Sequence, residues 1–293
     1  MQLSLNLRDP TESDASKRAR AQEVEERVAD GLAIKNEEWN EIFTKKNSDA
    51  DLRKLQAVRQ AIEAGHISRN PSEAFTAKGR RKPFTKAEAL RLYAVLQERE
   101  KERKLREMVE NMPTNYRLIT TRDVFEKMLT ALKREPIIAV DTETTGLDVY
   151  DRDEIVGISL TLPRADRHCY IPVAHDEGEQ LDREYVLASL KPVLEDESIG
   201  KVLHNAKFDI HMFIKHGVRL RGLKWDTQVA MHLLNENEPS FALKNLATKY
   251  LDEPSDTYEE LFGKRPFNEI PLDIAVVYAA KDTDLTWRLY QFQ

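Results

Sequence analysis

Four apolar residues in a row, Ile137-Ile138-Ala139-Val140, run straight into two acids, Asp141 and Glu143. A continuous apolar run of this kind reads as a strand buried on both faces, the centre of a sheet covered by helices. The acids then stand where the strand leaves the core, at the open end of the sheet, where a ligand can reach them. They lie two positions apart, so a strand that continues through them puts both side chains on one face. Two further acidic clusters stand at similar boundaries downstream: Asp209 in HNAKFDIHMF, and Asp282 with Tyr278 in VVYAAKDTD. Tyr278 and Asp282 differ by four positions and share a face of any helix that carries them. That step favours Asp282 over the neighbouring Asp284.

The surrounding pattern is mixed. Strands are expected over Tyr116–Thr120, Ile137–Asp141, Ile155–Leu162, His168–Val173 and Lys201–His204, with Pro163-Arg-Ala-Asp166 as a turn and a further short strand ending at Trp225. Helices are expected over Arg122–Lys133, Arg183–Leu194, the segment bearing Asp209, Asp226–Leu234, Ala242–Tyr250 and Leu272–Tyr290. Strands first, then strands alternating with helices, predict an α/β fold: a mixed sheet flanked by helices.

Separated carboxylates at such positions suit metal-assisted phosphoryl transfer. Hard divalent cations take oxygen ligands, and two of them about 3.5–4 Å apart can activate a water and stabilise a leaving oxygen together. Four acids packed without cations would repel and raise one another's pKa, so the cluster makes sense only with cations bound. A neutral phenol such as Tyr278 can aim the attacking water. Each residue taken singly also has a plainer reading: solvated strand-end acids for Asp141 and Glu143, an exposed helix acid for Asp209, a core aromatic for Tyr278 beside Ile274, Val277 and Leu285.

The order DTET, HNAKFD, YAAKD resembles the tyrosine-bearing branch of the DEDD exonucleases, specifically the 3′→5′ proofreading domain of polymerase I-type DNA polymerases, of ribonuclease-H-like fold. Tyr170-Ile-Pro-Val-Ala-His-Asp176, Trp225-Asp-Thr227, Leu243-Lys-Asn-Leu246 and Tyr258-Glu-Glu-Leu-Phe262 stand where that family has comparable segments. The resemblance runs from about Tyr116 to the C-terminus. It implies two divalent cations, Mg²⁺ or Mn²⁺: one held by Asp141, Glu143 and Asp282 near the nucleophilic water, the second by Asp141 and Asp209, with Tyr278 orienting the water. It implies substrate contacts by Thr142, Leu147, Asn205, Phe208 and Tyr258, of which Leu147 and Tyr258 wedge or stack against the last bases. The expected substrate is single-stranded DNA or a frayed DNA 3′ end, in replication or repair. A ribonuclease-D-like RNA exonuclease shares the acid pattern, and a catalytically idle binding module is a further alternative. Ser240-Phe241 departs from the family where many members carry a basic residue near the substrate. No polymerase motif occurs in these residues, so no nucleotide incorporation is expected of them; the sequence reads either as a stand-alone exonuclease or as part of a longer polymerase.

With 293 residues, 41% of them hydrophobic, the chain can bury a sizeable core. No apolar stretch approaches the roughly 18 residues that span a bilayer, and no signal-peptide pattern opens the chain, so a cytoplasmic, membrane-free protein is expected. Its one cysteine, Cys169, permits no internal disulfide. Residues 1–115 carry 23 Lys+Arg against 20 Asp+Glu, the remainder 22 against 31. A net acidic nuclease region must grip a polyanion through local basic patches.

Three segments are expected: a flexible tail over 1–12, a charged helical region over 13–115 and the exonuclease domain over 116–293. The helical region reads as Ser16–Leu32, Glu37–Lys45, Asp51–Ala64 and Lys86–Glu110. Thr85 and Glu88 are spaced as a capping box, and Leu90, Leu92, Val95 and Leu96 form an apolar stripe. Gln2-Leu3-x-Leu5-x-Leu7 resembles the short peptide by which bacterial proteins dock on the β sliding clamp. Lys78-Gly-Arg80-Arg81-Lys82-Pro-Phe84-Thr-Lys86 carries five basic residues in nine. It reads either as a solvated loop or as a single-strand grip using phosphates and a stack on Phe84.

Overall fold

The structure, a computed structural model, describes residues 21, 22, 24–26, 28, 29 and 31–293. The clamp-like residues Gln2, Leu3, Leu5 and Leu7 lie outside the described residues, as do eight of the 17 residues of the expected Ser16–Leu32 helix; the nine that are described, 21, 22, 24–26, 28, 29, 31 and 32, are helical. The chain divides into two compact units, Met1–Glu102 and Arg103–Gln293.

In the first unit, helices α1 (Asn36–Thr44), α2 (Asp49–Glu63), α3 (Pro71–Ala74) and the start of α4 (Lys86–Glu110) surround a small core of Trp39, Ile42, Leu55, Val58, Phe84 and Leu92. Ser48 starts α2 by accepting from the Asp51 amide at 3.1 Å, two residues earlier than the expected boundary. Two expectations fail here. The capping box at α4 is only half made. Thr85 Oγ1 accepts from the Glu88 amide at 3.2 Å, but the Glu88 carboxylate is taken by the buried Arg69 fork at 2.7 and 2.9 Å. A bidentate charged pair outcompetes a single amide for the same oxygens. The apolar stripe of α4 runs through Ala89, Leu92, Tyr93 and Leu96, while Val95 is exposed, because the core-facing step is three to four residues.

The second unit is a six-stranded mixed sheet in the order β1-β4-β3-β2-β5-β6. Its strands are β1 (Tyr116–Leu118), β2 (Ile137–Thr144), β3 (Ile155–Leu162), β4 (Arg167–Pro172), β5 (Gly200–Leu203) and β6 (Leu223–Asp226). Antiparallel pairing joins β2, β3 and β4; β1 joins β4, β5 joins β2 and β6 joins β5 in parallel. Helices α5 (Arg122–Leu132), α6 (Arg183–Leu194) and α7 (Ala206–Lys215) cover one face, meeting Ile138, Val140, Ile158 and Leu160. Helices α10 (Tyr258–Phe262) and α11 (Leu272–Phe292) cover the other, meeting Val156 and Tyr170. Burial from both sides explains why every residue of β3 is buried. Two short helices, α8 (Thr227–Leu234) and α9 (Leu243–Tyr250), complete the unit.

The strand expected to end at Asp141 runs on to Thr144. Asp141 pairs with Ser159 and Glu143 with Gly157, so the acids sit inside the strand rather than at its exit. Because Ile138 and Val140 face α5–α7, the alternate residues Asp141 and Glu143 face α11. Gly157 is required opposite them: a Cβ there would come within 2.1 Å of the Tyr170 hydroxyl.

Candidate active site

The crossing of α11 over the sheet assembles the site. Its four-residue step carries Tyr278 and Asp282 over β2, and one carboxylate oxygen each from Asp141, Glu143 and Asp282 lie within 4.8 Å of one another. Asp284 is engaged elsewhere, accepting from the Tyr116 hydroxyl at 2.9 Å. Asp209 stands outside this trio. It approaches from α7 on the opposite face, where Thr142 Oγ1 and the Thr142 amide both donate to its Oδ1, at 2.7 and 2.9 Å. The intervening residue of the Asp-Thr-Glu run thus fixes the second motif's acid to the first. Asp226 in turn holds the start of α7, accepting from the Ala206 amide at 2.8 Å and the Asn205 amide at 3.2 Å, with Asn205 left-handed at φ 61°.

Burial pushes the Asp141 carboxyl up to about 7, against the downward pull of Lys244. Glu143 is raised well above the usual range by burial and then by Asp141; Asp209 is raised by the same two causes. Repulsion among unneutralised acids is what the sequence implied. Tyr278 is packed among Tyr258, Phe262 and Phe267, so its aromatic body is core while its edge lines the site cavity. Burial and the neighbouring Glu143 hold its phenol protonated. Glu143 Oε1 is buried and has no hydrogen-bond partner among the described residues. Three converging carboxylates, one with an orphaned oxygen, form a donor set that fits a hard divalent cation.

The cavity is about 790 Å³ and brings in Thr142, Leu147, Asn205, Phe208 and Tyr258. Leu147 is 87% exposed, which rules it out as core filler. Tyr258 is half-buried at the first position of α10, whose cap is Thr257, and its hydroxyl donates to the Arg265 carbonyl.

Three charged or titratable side chains at this site, Lys244 against Asp282 and His204 and Lys264 in the cavity lining, were given no role by the sequence. Lys244 reaches from α9 to pair with Asp282, with its ammonium 4.5 Å from the centre of the Tyr278 ring. Burial pushes it down to about 7, opposed by Glu143. His204 is kept neutral by burial, its pKa lowered to about 4. His204 Nδ1 and Thr227 Oγ1 share a hydrogen bond at 2.8 Å, and His204 Nε2 is buried with no hydrogen-bond partner among the described residues. Lys264 lies exposed on the loop after α10, lining the cavity without an ion-pair partner among the described residues. It supplies a positive charge beside a site where Ser240-Phe241 offers none.

A 3′–5′ exonuclease family pattern matches residues 116–292, more than half of the chain. The chain belongs to the 3′–5′ exonuclease family. DNA polymerase I of Pseudomonas aeruginosa is 34% identical over 186 residues, 60% of this chain and 20% of the relative. That of Chloroflexus aurantiacus is 36% identical over 168 residues, 55% of this chain and 17% of the relative. The chain therefore matches about a fifth of these relatives' length. Trypanosoma brucei RNase D superposes with a TM-score of 0.50 at 17% identity, covering 60% of this chain and 64% of its own, a likeness of fold. The exonuclease unit is accordingly a ribonuclease-H-like α/β sheet, as its motifs implied. Among the described residues no helix is long and apolar enough to cross a membrane.

Proposed function

We propose that this exonuclease removes nucleotides one at a time from the 3′ end of single-stranded or frayed DNA, releasing nucleoside 5′-monophosphates. The observation that carries the reading is the convergence of Asp141, Glu143 and Asp282 in a cavity large enough for a terminal nucleotide. DNA is favoured over RNA because the relatives at 34–36% identity are DNA polymerases.

Asp141, Glu143 and Asp282 would hold one divalent cation, and Asp141 with Asp209 a second. When bound, such ions lower the pKa of a water and stabilise charge on the leaving oxygen. Thr142 fixes the Asp209 carboxylate through two hydrogen bonds. The Tyr278 phenol, held neutral, aims the water at phosphorus by accepting one of its hydrogens. The water's oxygen bonds to phosphorus, the bond from phosphorus to the 3′ oxygen breaks, and that oxygen takes a proton to become the new 3′-hydroxyl. Leu147 and Tyr258 support the terminal bases by wedge and stack, sequence-tolerant contacts. Asn205 and Phe208 line the terminal nucleotide, and Lys264 meets a phosphate. Parallel digestion of 5′-labelled DNA and RNA strands of one sequence, with Mn²⁺, tests the reading. Faster stepwise shortening of DNA is expected; faster loss of RNA would reassign the substrate.

A further inference from the structure

The basic run of the first unit has a structure the active site does not explain. Residues 75–81 form a tight turn in which Phe75 and Arg81 bridge antiparallel. The Thr76 amide donates to the Arg80 carbonyl, and the Gly79 amide to the Thr76 carbonyl, each at 2.8 Å; Gly79 takes φ 73°. The turn is pinned from beneath. Arg81 forks onto the Glu38 carboxylate at 2.9 and 2.6 Å and donates to the Ala33 carbonyl, and the Lys82 amide donates to the Ala74 carbonyl at 2.7 Å. Phe84, a candidate base-stacking residue by sequence, is 4% exposed and packed edge-on to Trp39, so it is core.

The five cations therefore divide. Arg81 belongs to the fold and Lys86 pairs with Asp51 at 2.7 Å. Lys78, Arg80 and Lys82 are exposed and have no ion-pair partner among the described residues. Three like charges within five residues of an anchored turn repel one another, and a polyanion relieves that repulsion. All three cations stand on the surface of the turn, open to solvent, an arrangement that suits a linear chain of phosphates rather than one enclosed small anion. The exonuclease region, with 22 basic against 31 acidic residues, gives such a chain little long-range attraction.

We propose that Lys78, Arg80 and Lys82 form a second nucleic-acid contact, a phosphate-backbone grip outside the active site, binding single strands by charge without regard to sequence. The nuclease reading enters only through the choice of probe. The test uses the whole chain in EDTA, with a fluorescein-labelled oligothymidylate of about 30 nucleotides followed by anisotropy across a salt series. Single-strand contacts each contribute about 0.7 to the slope of log K against log salt, so replacing all three residues by Gln makes the slope shallower by about 2. Between about 50 and 200 mM salt the unaltered protein then loses roughly 20-fold more affinity than the variant. The charge-conserving variant Lys78→Arg, Arg80→Lys, Lys82→Arg keeps the steep slope. Equal slopes for the unaltered and Gln proteins, or loss of slope in the charge-conserving variant, overturn the proposal. Hydrolysis of a dinucleotide, which the active site alone can hold, reports separately on the exonuclease reading and stays unchanged in all three.

Discussion

Replacing Lys244 by Met probes whether the acid cluster is built around cations. Lysine and methionine are of similar length, so the change removes an ammonium with little change of shape. In the unaltered protein that ammonium pairs with Asp282 and lowers the Asp141 carboxyl, at a side chain only 8% exposed. Removing one partner of a buried ion pair costs about 3–5 kcal/mol. Proton uptake by acids already poised near neutrality brings the loss toward the lower end, about 3 kcal/mol. For a unit of this size each kcal/mol moves Tm by about 2–4 °C, so Lys244→Met melts about 6–12 °C earlier in EDTA. Saturating Mn²⁺ supplies the missing positive charge, and the deficit shrinks to about 3 °C or less. Thermal melts of both proteins in EDTA and in Mn²⁺, near pH 6.5, where Lys244 with its value of about 7 keeps its ammonium, and followed by tryptophan fluorescence, measure the four values. An equal deficit in the two conditions means that Lys244 acts by packing, not by charge.

Two further outcomes follow from the same site. Asp141 rises from an unfolded value of 3.8 to about 7, so between those values the folded protein holds a proton that the unfolded chain releases. The contribution of Asp141 to metal-free stability is therefore fully present below about 4 and is lost as pH rises through about 7, while a divalent cation flattens the fall. Urea melts across pH in EDTA check this, and stability that climbs over the interval contradicts it. Lys264→Ala raises KM about tenfold, equivalent to about 1.4 kcal/mol of a charged phosphate contact, with kcat nearly unchanged. A fall in kcat at constant KM removes Lys264 from phosphate binding.

The sheet was legible because its strands are long apolar runs whose neighbours differ in period, and the placement of Asp141 and Glu143 on one face follows from a period of two. Tyr278 and Asp282 were legible by the helical step. What escaped the sequence depends on partners distant in the chain. Nothing near Lys244 says that its partner lies 38 residues later, and Glu88 carries a correct capping signal that Arg69, 19 residues earlier, overrides. Thr142 looked like a substrate contact by resemblance, yet its hydroxyl is committed to Asp209. Phe84 was ambiguous because an aromatic beside basic residues fits both a stack and a core. Local pattern fixes period and face; competition among polar partners is settled only when the chain closes on itself.

The decisive measurement is single-turnover digestion of a 5′-labelled DNA strand in Mn²⁺ by the unaltered protein, Asp141→Asn and Asp284→Asn. The unaltered protein and Asp284→Asn should shorten the strand stepwise from its 3′ end, since Asp284 is occupied by Tyr116 away from the acid trio. Asp141→Asn should slow by at least about a thousandfold, the equivalent of about 4 kcal/mol of transition-state stabilisation. Equal rates for Asp141→Asn and the unaltered protein, or products cut from the 5′ end, would contradict a 3′→5′ exonuclease built on this cluster.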